Sequence, residues 1–387
     1  MKRVFSIDFT RGLVMIIMAL DHVRDLMHVH SITQSPTDLS TTSPMLFFTR
    51  WITYLCAPIF IFLAGASAYV SLKKRGNIPE GRKFLFKRGL WLILLEFTIV
   101  NFGIEYDLGF HNIIFEVIAT IGFGFIILGL LLKLSSKAIG IIGLIIIFAH
   151  NLFSLIPFEQ DSVLKIIASL LFQLGAFPIG HGRIFIMAYP PIPWLGIMLA
   201  GFASGKLFEL PDDKRKILFM KTGLGALLLF AVLRFINIYG DPSLWASQKS
   251  ALYSFLSFMN ITKYPPSLLF CLITLGIMFL ILEFAEHIKN KLTNVVTVYG
   301  KVPFFYFLVH FYIIHFTMIA VMFLQGFHWS DLSFASGTYG RPKEAISGLE
   351  LWAIYLIWIA VVLILYKPCA WYGKYKATHK QWWLRYI

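Results

Sequence analysis

The sequence predicts an all-α, polytopic membrane protein: about ten transmembrane helices in one bundle, with both termini cytoplasmic. Three observations predict it. Hydrophobic residues make up 58% of the 387 residues and charged residues only 14%, against about 25% charged in a soluble domain. The mean hydropathy is +0.74. The apolar residues gather into runs of about 17–25, the length that crosses a bilayer. The whole chain, 1–387, reads as a single transmembrane domain.

The predicted spans are about 10–29, 45–70, 88–104, 113–132, 138–156, 187–206, 217–236, 265–284, 300–324 and 350–367. A further run, about 163–175, is too short to span and reads as interfacial or re-entrant. Lys and Arg set the orientation. Lys73, Lys74, Arg75, Arg82, Lys83, Lys87 and Arg88 crowd one loop. Lys206, Lys214, Arg215 and Lys216 follow the sixth span, Lys289 and Lys291 the eighth, and Lys367, Lys374, Lys376, Lys380 and Arg385 lie in the tail. All fall on one side, with Lys2 and Arg3. The other side carries Asp38, Glu105 and Asp107, with no Lys or Arg in 30–44 or 105–112.

The net charge of +14 therefore belongs to cytoplasmic loops and not to a nucleic-acid surface. Cys56, Cys271 and Cys369 have no paired spacing, so neither a disulfide framework nor a zinc site is expected. No metal is expected at the site. The first apolar run contains charges and lacks a small-residue cleavage site, so it does not read as a signal peptide.

That first run, residues 6–25, holds the functional signal. It opens with Asp8 and Arg11, runs apolar from Leu13 to Leu20, and closes with Asp21, His22, Arg24 and Asp25 inside the membrane span. Each such charge costs about 2.5–3.5 kcal/mol in hydrocarbon even on the lenient insertion scale, and intramembrane ionisable groups mark functional sites. Asp21 with Arg24 and Asp25, and His22 with Asp25, have the i+3 and i+4 spacings that bring side chains together. His22 with Asp25 makes a base with an orienting carboxylate. The competing reading is that the four charges merely neutralise one another and pin the helix.

Helix rise places His22 about 16 Å beyond Arg11, and His310 and His315 about 14 and 21 Å beyond Lys301. His22, His315, Arg50, Tyr54, Arg183 and Lys263 then share one outward-facing polar depth, with Asp38 in the acidic outer loop. His310 and His315, five residues apart, point in different directions, and at most one faces the site. For both, a core histidine bonded to a carbonyl is an equal alternative. Residues 28–44 read as either a substrate lid or a plain connector. His28 and His30 alternate, but two ligands do not make a metal site.

Ser6-Ile-Asp8-Phe-Thr-Arg11-Gly12 before Asp21-His22 resembles the first helix of the heparan-alpha-glucosaminide N-acetyltransferase catalytic-domain family. So does Phe47-Phe-Thr-Arg50-Trp51 leading into Ala57-Pro58-Ile-Phe60 and Gly65. Tyr189-Pro-Pro-Ile-Pro-Trp194, Thr262-Lys-Tyr-Pro-Pro-Ser267, Gly300-Lys-Val-Pro303, Leu308-Val-His310 and Trp382-Trp-Leu-Arg-Tyr386 look like its bacterial branch. The resemblance implies a multi-helix enzyme that moves acetyl from cytosolic acetyl-CoA to an amino sugar on the outer face. It also implies a histidine between helices 1 and 2. Aligned inward from Gly12 and Gly65, the animal enzymes' histidine falls near Ser43, and His22 falls where they have asparagine. His22 as the base therefore rests on its depth and partners in this chain.

The function expected is a transmembrane acyltransferase of the inner (cytoplasmic) membrane. It would pass an acyl group, acetyl above all, from acyl-CoA to an amino or hydroxyl group of an extracytoplasmic sugar or glycan. His22, Asp25, Asp21 and Arg24 are the expected catalytic residues. Arg50, Tyr54, Asp38, Arg183, Lys263, His310 and His315 are expected at the acceptor, and Asp8, Arg11, Arg88 and Lys301 at acetyl-CoA. The residues do not require a covalent acyl-histidine. The alternative is a proton-coupled transporter or exporter of a small solute, since intramembrane Asp, His and Arg also make proton relays. The absence of an inverted repeat counts against it. The partners expected are acyl-CoA, a sugar acceptor and the lipid bilayer; no nucleic acid is expected, and a homodimer is compatible with the sequence.

Overall fold

The computed structural model describes residues 4–156, 162–335, 337–343 and 345–386, apart from the side chains at 154, 155 and 385. Lys2 and Arg3 lie outside the described residues. The fold is mostly helical, and the helices arise where the apolar runs predict them.

Helix α1 (Phe5–Met27) is the axis of the bundle, with 16 of its 23 residues buried. Its neighbours are α2 (Pro44–Thr53), α3 (Cys56–Arg75), α12 (Leu268–His287), α13 (Lys291–Lys301), α14 (Pro303–Leu324) and α15 (Leu351–Thr378). Small residues let these backbones approach, as helix packing within a membrane requires. A Cβ on Gly12 would stand 2.0 Å from the Val296 carbonyl oxygen, and one on Gly300 would stand 1.8 Å from that of Asp8. The same reciprocal fit joins α3 to α9 (Pro191–Ser204) through Gly65 and Gly201. The Trp358 indole donates to the Ile16 carbonyl at 2.7 Å and ties α15 to α1.

The remaining helices are α4 (Ile78–Leu95), α5 (Asn101–Glu105), α6 (Val117–Leu131), α7 (Ser136–Ala149), α8 (Val163–Phe172), α10 (Asp212–Ile236) and α11 (Ala251–Met259). A π-turn, Glu96–Val100, joins α4 to α5. Among the described residues six helical segments are long and apolar enough to cross a membrane: Pro44–Arg75, Ser136–Phe153, Asp212–Ile236, Leu268–His287, Pro303–Leu324 and Leu351–Thr378. Helix α1 is long enough, but five charged residues interrupt its apolar surface.

Several expectations are corrected. The all-α reading missed a small sheet: β1 (Asn112–Phe115) pairs in parallel with β3 (Arg183–Met187), and β2 (Gly175–Gly180) pairs antiparallel with β3. The predicted spans 113–132 and 187–206 therefore open on strand residues, and their helices begin at Val117 and Pro191. Apolar β-strands and helix starts share the same composition, so hydropathy alone merges them. Lys301 belongs to α13, not to the ninth predicted span, because Pro303 starts a new helix. The second span breaks at Tyr54 and Leu55 into α2 and α3.

Candidate active site

Asp21 is the electrostatic hub of α1. Its carboxylate accepts from Arg24 at 2.7 Å, from Arg50 of α2 at 2.6 and 2.7 Å, and from the Thr53 hydroxyl at 2.7 Å. Thr53 and Arg50 reach it because α2 ends there, where the helix breaks before Leu55. All of these groups are mostly buried, so removing one partner would leave uncompensated charge, at a cost of about 3–5 kcal/mol.

His22 is not oriented by Asp25, as the i+3 spacing suggests. Asp25 binds Arg24 at 2.5 Å and lies 3.9 Å from Arg50. Two strong cations outcompete a neutral ring for that carboxylate. The partner of His22 is His310 on α14, with Nδ1 of His22 2.6 Å from Nε2 of His310. Nδ1 of His310 is 3.1 Å from the Tyr306 carbonyl. A carbonyl only accepts, so His310 carries its proton on Nδ1 and presents Nε2 as an acceptor. His22 must then donate from Nδ1, which leaves its Nε2 unprotonated. The ring is wedged against Phe311 at 4.3 Å and edge-on to Phe307 at 6.4 Å between centroids.

Two pockets flank this pair along α1. The inner one, about 240 Å³, is lined by Arg11 and Met15 of α1, Ser67 of α3, Arg88 of α4, Lys301 of α13, Phe304 and Phe307 of α14, and Lys376 of α15. Four basic groups line it, and no acidic one does among the described residues. Arg11 donates to the Ser67 hydroxyl at 2.7 Å and lies 3.7 Å from Asp8. Phe307 touches both this pocket and His22. Arg11, Arg88 and Lys301 thus converge, with Lys376 added. Asp8 serves as the partner of Arg11 and does not line the pocket.

The outer pocket, nearer the end of α1, is about 400 Å³ and is lined by Arg24, Asp25, Arg50, Tyr54, Lys263 and Tyr264, with Ser35, Pro36 and Thr37 from the loop between α1 and α2. The segment that presents Lys263 is pinned from below. Asp241 accepts from the Thr262 amide and hydroxyl and from the Ser267 hydroxyl. Arg234 donates to the carbonyls of Ser243, Ser257, Phe258 and Asn260.

Three expected members fall elsewhere. Arg183 is exposed on β3, at the hairpin with β2. Asp38 is exposed and accepts from the amide and hydroxyl of Ser40, which closes a turn. His315 is fully buried, stacked on Tyr106 at 4.3 Å and bonded to the Tyr339 carbonyl at 3.2 Å, so it takes the core role.

Sequence reading missed His310 as the partner of His22, and it missed Lys376, Asp241 and the carboxylates Glu96, Glu105 and Glu116. Glu96 carries the clearest signal, a lone acid in an apolar run. It accepts from the Ala119 amide at 2.7 Å and so caps α6 from a neighbouring helix. The residue that occupies the α6 cap position, Glu116, makes no side-chain capping bond.

These features define a multi-pass helical membrane protein whose part-buried histidine pair lies between a basic pocket and a mixed-charge one. Residues 3–245 match the family described as heparan-alpha-glucosaminide N-acetyltransferase, catalytic, and the chain belongs to that family. Membership points to a transmembrane acetyltransferase. No curated protein matches the chain.

Proposed function

We propose that this protein transfers an acetyl group from cytosolic acetyl-CoA to an amino or hydroxyl group of an extracytoplasmic sugar or glycan. The observation that carries the proposal is the order of features on α1. Arg11 and Met15 line the basic pocket, His22 follows, and Arg24 and Asp25 line the outer pocket. A site of this kind serves a donor and an acceptor that arrive from opposite sides of a bilayer.

Ten spans with both termini cytoplasmic, in the inner membrane, put the basic pocket on the cytoplasmic side. Arg11, Arg88, Lys301 and Lys376 suit the phosphates of CoA, and the apolar wall from Phe304 to Phe307 suits its pantetheine arm. Nε2 of His22 takes the proton of the acceptor as its nitrogen or oxygen attacks the thioester carbonyl. The carbon–sulfur bond breaks, and the CoA thiolate leaves with a proton returned by His22. Asp21 and Asp25 stabilise the transient imidazolium, and Arg24 or Arg50, both of which line the outer pocket, meets the developing oxyanion.

The test is acetyl-CoA turnover by the purified protein in liposomes. Acceptor-dependent release of CoA supports the proposal. Solute flux with no CoA release refutes it in favour of transport.

A further inference from the structure

We propose that a groove along the exposed face of α4 binds an anionic phospholipid. Its phosphate lies among Arg82, Lys83, Lys87 and Lys133, and one acyl chain lies along Leu90 and Leu94. The inference needs a bilayer around the chain and does not rest on acetyl transfer.

Two adjoining hollows make the groove. The first, about 500 Å³, is lined by Arg82, Lys83, Phe86, Lys87 and Leu90 of α4 and by Lys133, just past α6. The second, about 330 Å³, shares Lys87 and Leu90 with it and continues past Trp91 and Leu94 to Trp382 and Tyr386 of the tail. Trp382 meets Trp91 at 5.5 Å and Tyr386 stacks on Phe84 at 5.8 Å, so the tail is held against α4 as the wall of the second hollow.

The first hollow is the polar end. Four cations line it and no carboxylate does. Among the described residues none of the four forms an ion pair, whereas Lys73 in the same basic stretch is paired with Glu209 at 3.4 Å. The Nε of Arg82 is buried without a hydrogen-bond partner, and its guanidinium lies 6.0 Å from the Phe86 ring. Lys83, Lys87 and Lys133 are exposed and free to turn toward a phosphate. Lys83 and Lys87 stand at i and i+4, a like-charge pair that destabilises a helix until an anion lies between them.

The second hollow is the apolar end. Leu90 and Leu94 are 62% and 52% exposed. They follow Lys87 at i+3 and i+7, on the same helix face. Leu94 is about 10 Å from Lys87 along the axis. The stripe thus passes from cations to leucines and rings over the distance between a headgroup phosphate and the upper part of its chains. A free phosphate would fill the first hollow and leave Leu90 and Leu94 bare; a phospholipid fills both. In the orientation expected from Lys and Arg, the groove opens to the cytoplasmic leaflet, where anionic lipids gather, and basic pockets between helices on that side bind their headgroups.

The test is native mass spectrometry of the full chain from detergent micelles carrying equal amounts of phosphatidylglycerol and phosphatidylcholine. We expect phosphatidylglycerol to be retained over phosphatidylcholine by about fivefold or more. Lys83→Gln with Lys87→Gln should lower phosphatidylglycerol retention by about 25-fold, at about fivefold per cation, and leave phosphatidylcholine unchanged. Lys133→Gln tests the same hollow from a second segment and should cost about fivefold. Lys73→Gln with Lys74→Gln removes as much charge from the neighbouring stretch and should change retention by less than about twofold. Melting midpoints equal to the parent's without added lipid show that the variants are folded. Equal retention of the two lipids overturns the site. So does an equal loss in the two double variants, since charge anywhere on that surface would then suffice. Glycerol 3-phosphate, a soluble headgroup, should not displace the lipid when added in excess; displacement overturns the assignment to a phospholipid.

Discussion

The sharpest prediction concerns which residue orients His22. The bond from Nδ1 of His22 to Nε2 of His310 is 2.6 Å long and part-buried, whereas Asp25 is bonded to Arg24 and its side chain is 44% exposed. Replacing His310 with Phe keeps a planar ring but removes the acceptor, and it strands the Nδ1–H of His22. A buried donor left unpaired costs about 1–3 kcal/mol. At 1.36 kcal/mol per decade, this slows the chemical step by about 5- to 150-fold if the loss falls on the transition state. Asp25→Asn removes an interaction that reaches His22 only through space and partly through solvent. Its effect should stay near or below ~1 kcal/mol, about fivefold. His22→Ala deletes the base and should lower kcat by about 10²–10⁴. The assay is single-turnover loss of acetyl-CoA at saturating acceptor, with the KM for acetyl-CoA followed in parallel. We expect kcat to fall in the order His22→Ala, His310→Phe, Asp25→Asn, with that KM little changed. If Asp25→Asn loses more than His310→Phe, or if His310→Phe turns over within twofold of the parent, the relay is wrong.

Other predictions follow from the same geometry. Arg11→Ala should raise the acetyl-CoA KM more than it lowers kcat; a parallel loss of folded protein and activity would instead assign Arg11 to packing against Ser67 and Asp8. Asp21→Asn should destabilise by about 3–5 kcal/mol, since Arg24 and Arg50 lose their shared carboxylate, and thermal melting in detergent would read this directly. Gly300→Ala drives a methyl group into the Asp8 carbonyl and should cost about 1–3 kcal/mol in the same melt; an unchanged midpoint would mean that α1 and α13 separate freely. The orientation can be tested by labelling single cysteines in intact cells, because the native Cys56, Cys271 and Cys369 are all buried. Ile78→Cys should be protected and Gln34→Cys reactive; the reverse would invert the membrane topology and exchange the sides assigned to the two pockets.

The sequence by itself determined what burial and local spacing control. Helix length and apolar content follow from the cost of unpaired backbone in a bilayer, so the predicted spans fall on helices. The cluster on α1 was legible because four ionisable groups in an apolar helix stand out against the composition around them. The convergence of Arg11, Arg88 and Lys301 was legible as a shared side and depth. Only the tertiary structure decided partnership. His310 lies 288 residues from His22, and no local periodicity connects them. Asp25 sits at the right spacing for His22, yet Arg24 and Arg50 claim it, because a carboxylate bonds a guanidinium within reach more strongly than a neutral ring. Depth grouped His315 and not His310 with His22, but the rotation of α14 sends His315 to Tyr339 and His310 to His22. The sheet escaped notice for a similar reason: β1 and β3 are some seventy residues apart, and strand pairing over that distance is set by the packing of the chain and not by its neighbours in sequence.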